Sequence, residues 1–219
     1  AAAQLLDHLK IPKIAIIGFG WGASAAIEFT RLFPDHASAL ILVSPATSET
    51  PPAPGIPLPQ AISNKMGGDA GFFKKASNHP GELLGAAFDL TSSGGPVDRS
   101  AWGDFILQNP AELERFQEIL LSLAPLSARK DGLENDLLQP LSSLGGLKTP
   151  ALVIQGGMDK AVPPVLDRAR LAPAELFSLP KQGHLVLLGQ AAPDVAKRIV
   201  DFLNLHPAGG TRKESPDAE

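Results

Sequence analysis

Residues 13–24 read Lys-Ile-Ala-Ile-Ile-Gly-Phe-Gly-Trp-Gly-Ala-Ser, and few folds accept such a run. Ile14 to Ile17 are short, apolar and rich in β-branching, with Pro12 and Gly18 on either side, which predicts a buried strand over 14–17. Gly18, Gly20 and Gly22 then permit a turn too tight for side chains. Ala23, Ser24, Ala25 and Ala26 open a predicted helix over 23–32, small enough on one face to lie close on a sheet. A second apolar run over 39–43 follows the Pro34-Asp35 turn and has the unbroken hydrophobicity of a parallel strand. Strand, tight turn, helix and strand together make a βαβ unit.

The rest of the chain extends this pattern. A helix is predicted over 1–9, with Leu5, Leu6 and Leu9 on one face. Residues 45–59 are too rich in proline for regular structure. Helices are expected over 80–90, over 110–123 and over 136–144. In the second of these Pro110 stands at the start, with Leu113, Phe116, Ile119, Leu120 and Leu123 at helical spacing. Strands over 151–155 and 175–179, a helix between them and an amphipathic helix over 192–203 close the order. The expected fold class is α/β: a partial doubly wound parallel sheet formed by residues 1–44 and 149–204. A helical lid is inserted over 45–148, and 205–219 form a polar, disordered tail.

Composition narrows the function classes. A net charge of −4 offers no basic field for nucleic acid or an anionic membrane. The absence of cysteine excludes disulfides and thiolate metal sites. His8, His36, His79 and His206 are scattered without ligand spacing, so neither a metal nor another cofactor is expected. No apolar run approaches the roughly 20 residues of a membrane span. No signal peptide is visible, and a cytoplasmic location is the expectation. The chain opens on Ala1 inside a helical pattern, as a processed or partial chain would.

The glycine turn admits two readings. Gly18-Phe19-Gly20-Trp21-Gly22-Ala23 satisfies G-x-G-x-x-[GA], the fingerprint of an NAD(P)-binding Rossmann domain. That chemistry wants a carboxylate at the end of the next strand, where this chain has Val43-Ser44-Pro45. The same residues match the nucleophile elbow G-x-S-x-G, with Gly20 where the serine would stand. Two distant segments support the elbow. Asp159 follows the strand over 151–155, where it can orient a histidine, and His184 lies in a loop after the next strand. Each residue alone is ordinary in a turn or loop; the order elbow, Asp, His is what distinguishes them.

With these motifs the chain resembles the α/β-hydrolase superfamily over about residues 1–204. It is most similar to lid-bearing, esterase-like members with Pro-[IL]-Ser-x-Arg-x-x-Gly-x-x-Asn-Asp before the acid strand, here Pro125-Leu-Ser-Ala-Arg129-Lys-Asp-Gly132-Leu-Glu-Asn135-Asp136. The resemblance implies hydrolysis of a small ester or lactone through a serine acyl-enzyme. Position 20 would attack, His184 would carry the proton, Asp159 would orient the imidazole, and the Trp21 backbone N–H would hold the oxyanion. Phe19 would contact a small apolar acyl or ester ligand; Trp21 would either line the acyl pocket or pack under the lid; Trp102, Phe105, Leu107 and Phe116 would either cover the pocket or only pack the lid on the core; and Arg129 and Asp136 would pair. Two departures stand out. Gly20 has no attacking oxygen, and Ser24 lies about one turn, or roughly 5 to 6 Å, further along the helix. The four strands that precede the elbow strand in the family are absent, leaving an apolar sheet edge open to self-association. The expectation is a crippled hydrolase, a pseudoenzyme. The alternatives are a His-Asp pair that activates water directly and a non-catalytic small-molecule-binding module.

Overall fold

The computed structural model describes residues 1–53, 66–164, 171 and 174–208. Four strands, β1 (Ile14–Phe19), β2 (Ala37–Val43), β3 (Ala151–Gly156) and β4 (Glu175–Leu179), form one parallel sheet in the order β1-β2-β3-β4. Helices α1 (Ala2–His8) and α2 (Gly22–Leu32) flank β1 in sequence. Helices α3 (Gly68–Asn78), α4 (Leu84–Thr91), α5 (Pro96–Gln108), α6 (Pro110–Ser122) and α7 (Lys130–Leu138) lie between β2 and β3, and α8 (Ala192–Leu205) follows β4.

The central strands are apolar from Ala39 to Val43 and from Ala151 to Ile154 because both faces of the sheet are covered there. Side chains alternate between faces along a strand. Leu40, Leu42 and Val153 therefore meet Ala23, Ala26 and Ile27 of α2. Ile41, Val43, Leu152 and Ile154 meet Val195 and Phe202 of α8 on the other side. The buried positions of α2, at Ala23, Ala26, Ile27 and Thr30, follow one helical face. Its close seat needs glycine at position 18, since a Cβ there would lie 2.9 Å from both Ala23 Cα and Ala26 Cβ. At the β1 edge Ile17 and Phe19 remain 56% and 42% exposed.

The helices between β2 and β3 share a separate core built on Phe72, Leu84, Ile106, Phe116 and Leu120. The chain enters and leaves this block through a hydrogen-bonded neck. The Ser48 N–H donates to the Ser142 carbonyl at 3.1 Å, and Glu49 Oε1 accepts from Ser143 Oγ at 2.5 Å and from the Leu144 N–H at 3.2 Å. Burial alone would raise the Glu49 carboxyl, but these donors outweigh it and hold the group below its ordinary value.

The helix expected over 136–144 lies instead over Lys130–Leu138. Pro140 supplies no N–H and forces Gln139 out of the helical region, to ψ 142°. The expected helix over 80–90 divides into a 3₁₀ turn, Pro80–Leu83, and α4. Helices α3 and α5 were not expected. Arg129 does not pair with Asp136: its guanidinium donates to the Ser122 carbonyl at 2.7 Å. Residues 54–59 of the proline-rich loop, most of the expected helix between β3 and β4, and 209–219 of the tail lie outside the described residues. Among the described residues no helix is long and apolar enough to cross a membrane.

Candidate active site

Three loops at the carboxyl ends of β1, β3 and β4 converge. The first turns at Gly20, whose φ of +52° falls in the left-handed region that glycine enters at little cost. Its N–H donates to the Val43 carbonyl at 3.0 Å, and its own carbonyl accepts from the Ala46 N–H at 3.0 Å, so backbone alone fixes the turn. Trp21 caps the start of α2, and no hydrogen bond among the described residues uses its N–H.

Asp159 sits in the turn after β3 with its side chain fully shielded from solvent. Its Oδ1 accepts from the Val162 N–H at 2.8 Å, and its Oδ2 lies 2.8 Å from His184 Nδ1. Held by an acceptor at Nδ1, the neutral imidazole keeps its proton there and presents the Nε2 lone pair outward. That nitrogen faces Gly20: a Cβ built on Gly20 would stand 3.7 Å from it. The edge of the His184 ring also meets Phe19, with centroids 5.6 Å apart. Ser24 is occupied elsewhere. Its Oγ accepts from the Ser142 N–H at 3.1 Å and lies 3.5 Å from the Ala46 carbonyl.

The end of α4 stitches the Asp159 and His184 loops together. The Thr91 carbonyl accepts from the His184 N–H at 2.9 Å and from the Lys160 N–H at 3.3 Å, while Ser92 bridges to Asp159. From below, Ser44 Oγ donates to the His184 carbonyl at 2.8 Å. Ser44 holds a φ of +45°, unusual for a residue with a side chain, at the end of β2. Neither Thr91 nor Ser44 was singled out from the sequence, where Ser44-Pro45 signals only a turn.

Above Gly20 and His184 lies a cavity of about 310 Å³, walled by Trp21 and by Phe72, Phe116 and Leu120 of the helical block. A neighbouring recess of about 200 Å³ is bounded by Phe19, Ile119, Leu185, Leu187 and Leu188. Gly20, Trp21, Asp159 and His184 are thus brought together, and Phe19 borders the recess. Trp102 and Phe105 are not at this cavity. Trp102 packs between Phe88 and Phe116, with centroids 5.8 and 6.2 Å away, and borders a different recess beside Lys181. Phe105 packs against the core of the helical block. Contacts among α4, α5 and α6 draw both rings inward. The cavity wall comes instead from α3, the Pro80–Leu83 turn, α4 and α6, with Phe72 and Leu83 among its unforeseen members.

Known proteins share this fold. The model of the alpha/beta hydrolase fold matches residues 1–191. An alpha/beta hydrolase fold protein from Nakamurella multipartita superposes with a TM-score of 0.76 at 22% identity, over 92% of this chain and 73% of its own. An esterase from Thermogutta terrifontis gives 0.60 at 22% identity, over 94% and 70%. The enol-lactonase from Burkholderia xenovorans gives 0.58 at 21% identity, over 93% and 70%. From its first to nearly its last described element, the chain belongs to the α/β-hydrolase fold family.

Proposed function

We propose that this chain is an α/β-hydrolase-fold protein of the serine esterase type, built for acyl transfer on small carboxylic esters or lactones and left inactive or weak by Gly20. One observation carries this reading: the Nε2 of a fully assembled His184–Asp159 pair faces Gly20 from the distance at which a serine would be activated. In the complete reaction His184 takes the proton from the attacking oxygen, and Asp159 stabilises the imidazolium that forms. The Trp21 N–H receives the negative charge of the tetrahedral intermediate, an interaction worth on the order of 3 kcal/mol. Phe19 and Trp21 contact the ligand, and the helices between β2 and β3 cover it as a lid. The names of the esterase and enol-lactonase neighbours support the ester or lactone class, and the family assignment argues against the dinucleotide reading of the same turn. With glycine at 20 no acyl-enzyme forms, and the pair holds only a proton.

A second reading, in which His184 activates water directly, is favoured by the way Nε2 borders the open cavity. Release of phenol from phenyl butanoate by the unaltered chain and by His184→Ala separates the two. The proposal expects both proteins to match buffer. Turnover well above buffer that disappears in His184→Ala would replace it with the second reading.

A further inference from the structure

The cavity above Gly20 has a charge preference that follows from its walls. Thr91, His184 and the indole of Trp21 are the side chains with polar atoms among its described lining, and Thr91 Oγ1 is spent on the Ala87 carbonyl at 2.7 Å. Among the described residues no lysine, arginine, aspartate or glutamate borders it. Lys160, next to Asp159 in the chain, directs its ammonium away to the Asp89 carbonyl at 2.8 Å. The neighbouring recess is wholly aliphatic and aromatic, and it shares Ile119 and Leu185 with the cavity. Along the described residues a ligand can therefore extend from Gly20 in either direction without meeting a lysine or arginine. Among the described residues, the buried carboxylate of Asp159 behind the imidazole sets a negative charge beside the cavity, which repels a second anion.

We infer that this site, taken as the ester site proposed above, selects uncharged apolar esters and rejects esters that carry a carboxylate. An ester carbonyl needs only a donor such as the Trp21 N–H, and apolar arms gain from leaving water. A carboxylate entering the same space loses its hydration and finds no lysine or arginine among the described residues to pair with, a penalty that grows steeply with burial. The same penalty drives out an ionised acid product, so a hydrolase with this cavity releases its acid readily.

The chain without a nucleophile permits a direct test, because an ester can be titrated intact. Calorimetry compares phenyl butanoate with its 4-carboxyphenyl analogue, which adds one negative charge to the same skeleton. The expected result is saturable binding of the neutral ester and affinity at least about 100-fold weaker for the carboxylate. Leu90 borders the cavity and is 37% exposed, so Leu90→Arg places a cation at the rim without burying it. This variant is expected to narrow the gap about tenfold. Equal affinities in the unaltered chain, or a gap unmoved by Leu90→Arg, would overturn the charge selection. Binding of neither ester would overturn the cavity as a ligand site, whereas the hydrolase reading is judged separately by turnover after serine is restored at position 20.

Discussion

Glycines occur on both sides of the candidate active site for opposite reasons. Where the acid and base loops meet, they stand in places with no room. A Cβ on Gly156 would fall 2.2 Å from the Gly183 carbonyl oxygen and 2.3 Å from that of Gln182, and one on Gly183 would fall 2.8 Å from the Thr91 carbonyl oxygen. At Gly20, its two chain neighbours aside, the only atom of the described residues within 4 Å of such a Cβ is His184 Nε2, at 3.7 Å. The loops of Asp159 and His184 are pressed together backbone to backbone, whereas the elbow leaves space for a side chain aimed at the base. Backbone hydrogen bonds hold the Gly20 turn, so its geometry does not depend on which side chain it carries.

This contrast has measurable consequences. Gly156→Ala forces the base loop off β3, and we expect a loss of about 3 kcal/mol in urea denaturation, at the upper end for overpacking. A loss below about 0.5 kcal/mol would mean that the loops part freely. Gly20→Ala meets only the cost of a left-handed φ, about 1 kcal/mol. If it proves as damaging as Gly156→Ala, the space above Gly20 is not available to a side chain. The smallest effect is expected at Ser44→Gly. Relief of its positive φ, about 1 kcal/mol, offsets the lost hydrogen bond to the His184 carbonyl, also about 1 kcal/mol. A loss near 2 kcal/mol would show that Ser44 holds the base loop far more firmly than one neutral hydrogen bond can.

The sheet was largely legible in the sequence because its inner strands are buried on both faces and bounded by proline or glycine. The fourth strand was read with the bounds it has, and β1 was read two residues short. Gly18 ends the β-branched run, yet Gly18 and Phe19 still pair in register with Leu42 and Val43. Gly20, Asp159 and His184 could be read together because each follows a strand end. The helical block was less legible. The apolar residues of α5 run consecutively from Phe105 to Leu107 and show no face, and its start rests on the Gly95 N–H donating to Asp98 Oδ2 at 2.9 Å. Which aromatic side chains wall the cavity depends on how α4, α5 and α6 pack, and no single helix records that. Ser44 was hidden for a related reason, since its partner lies 140 residues away in the chain.

The most direct measurement is phenyl butanoate hydrolysis by Gly20→Ser, with Gly20→Ser/His184→Ala beside it. If the elbow and the His184–Asp159 pair are intact, the serine variant gains at least about 100-fold in turnover over the unaltered chain, and the double variant loses that gain. A Gly20→Ser protein that folds and binds the ester yet turns over no faster than the unaltered chain would contradict it, showing that more than the attacking oxygen is missing.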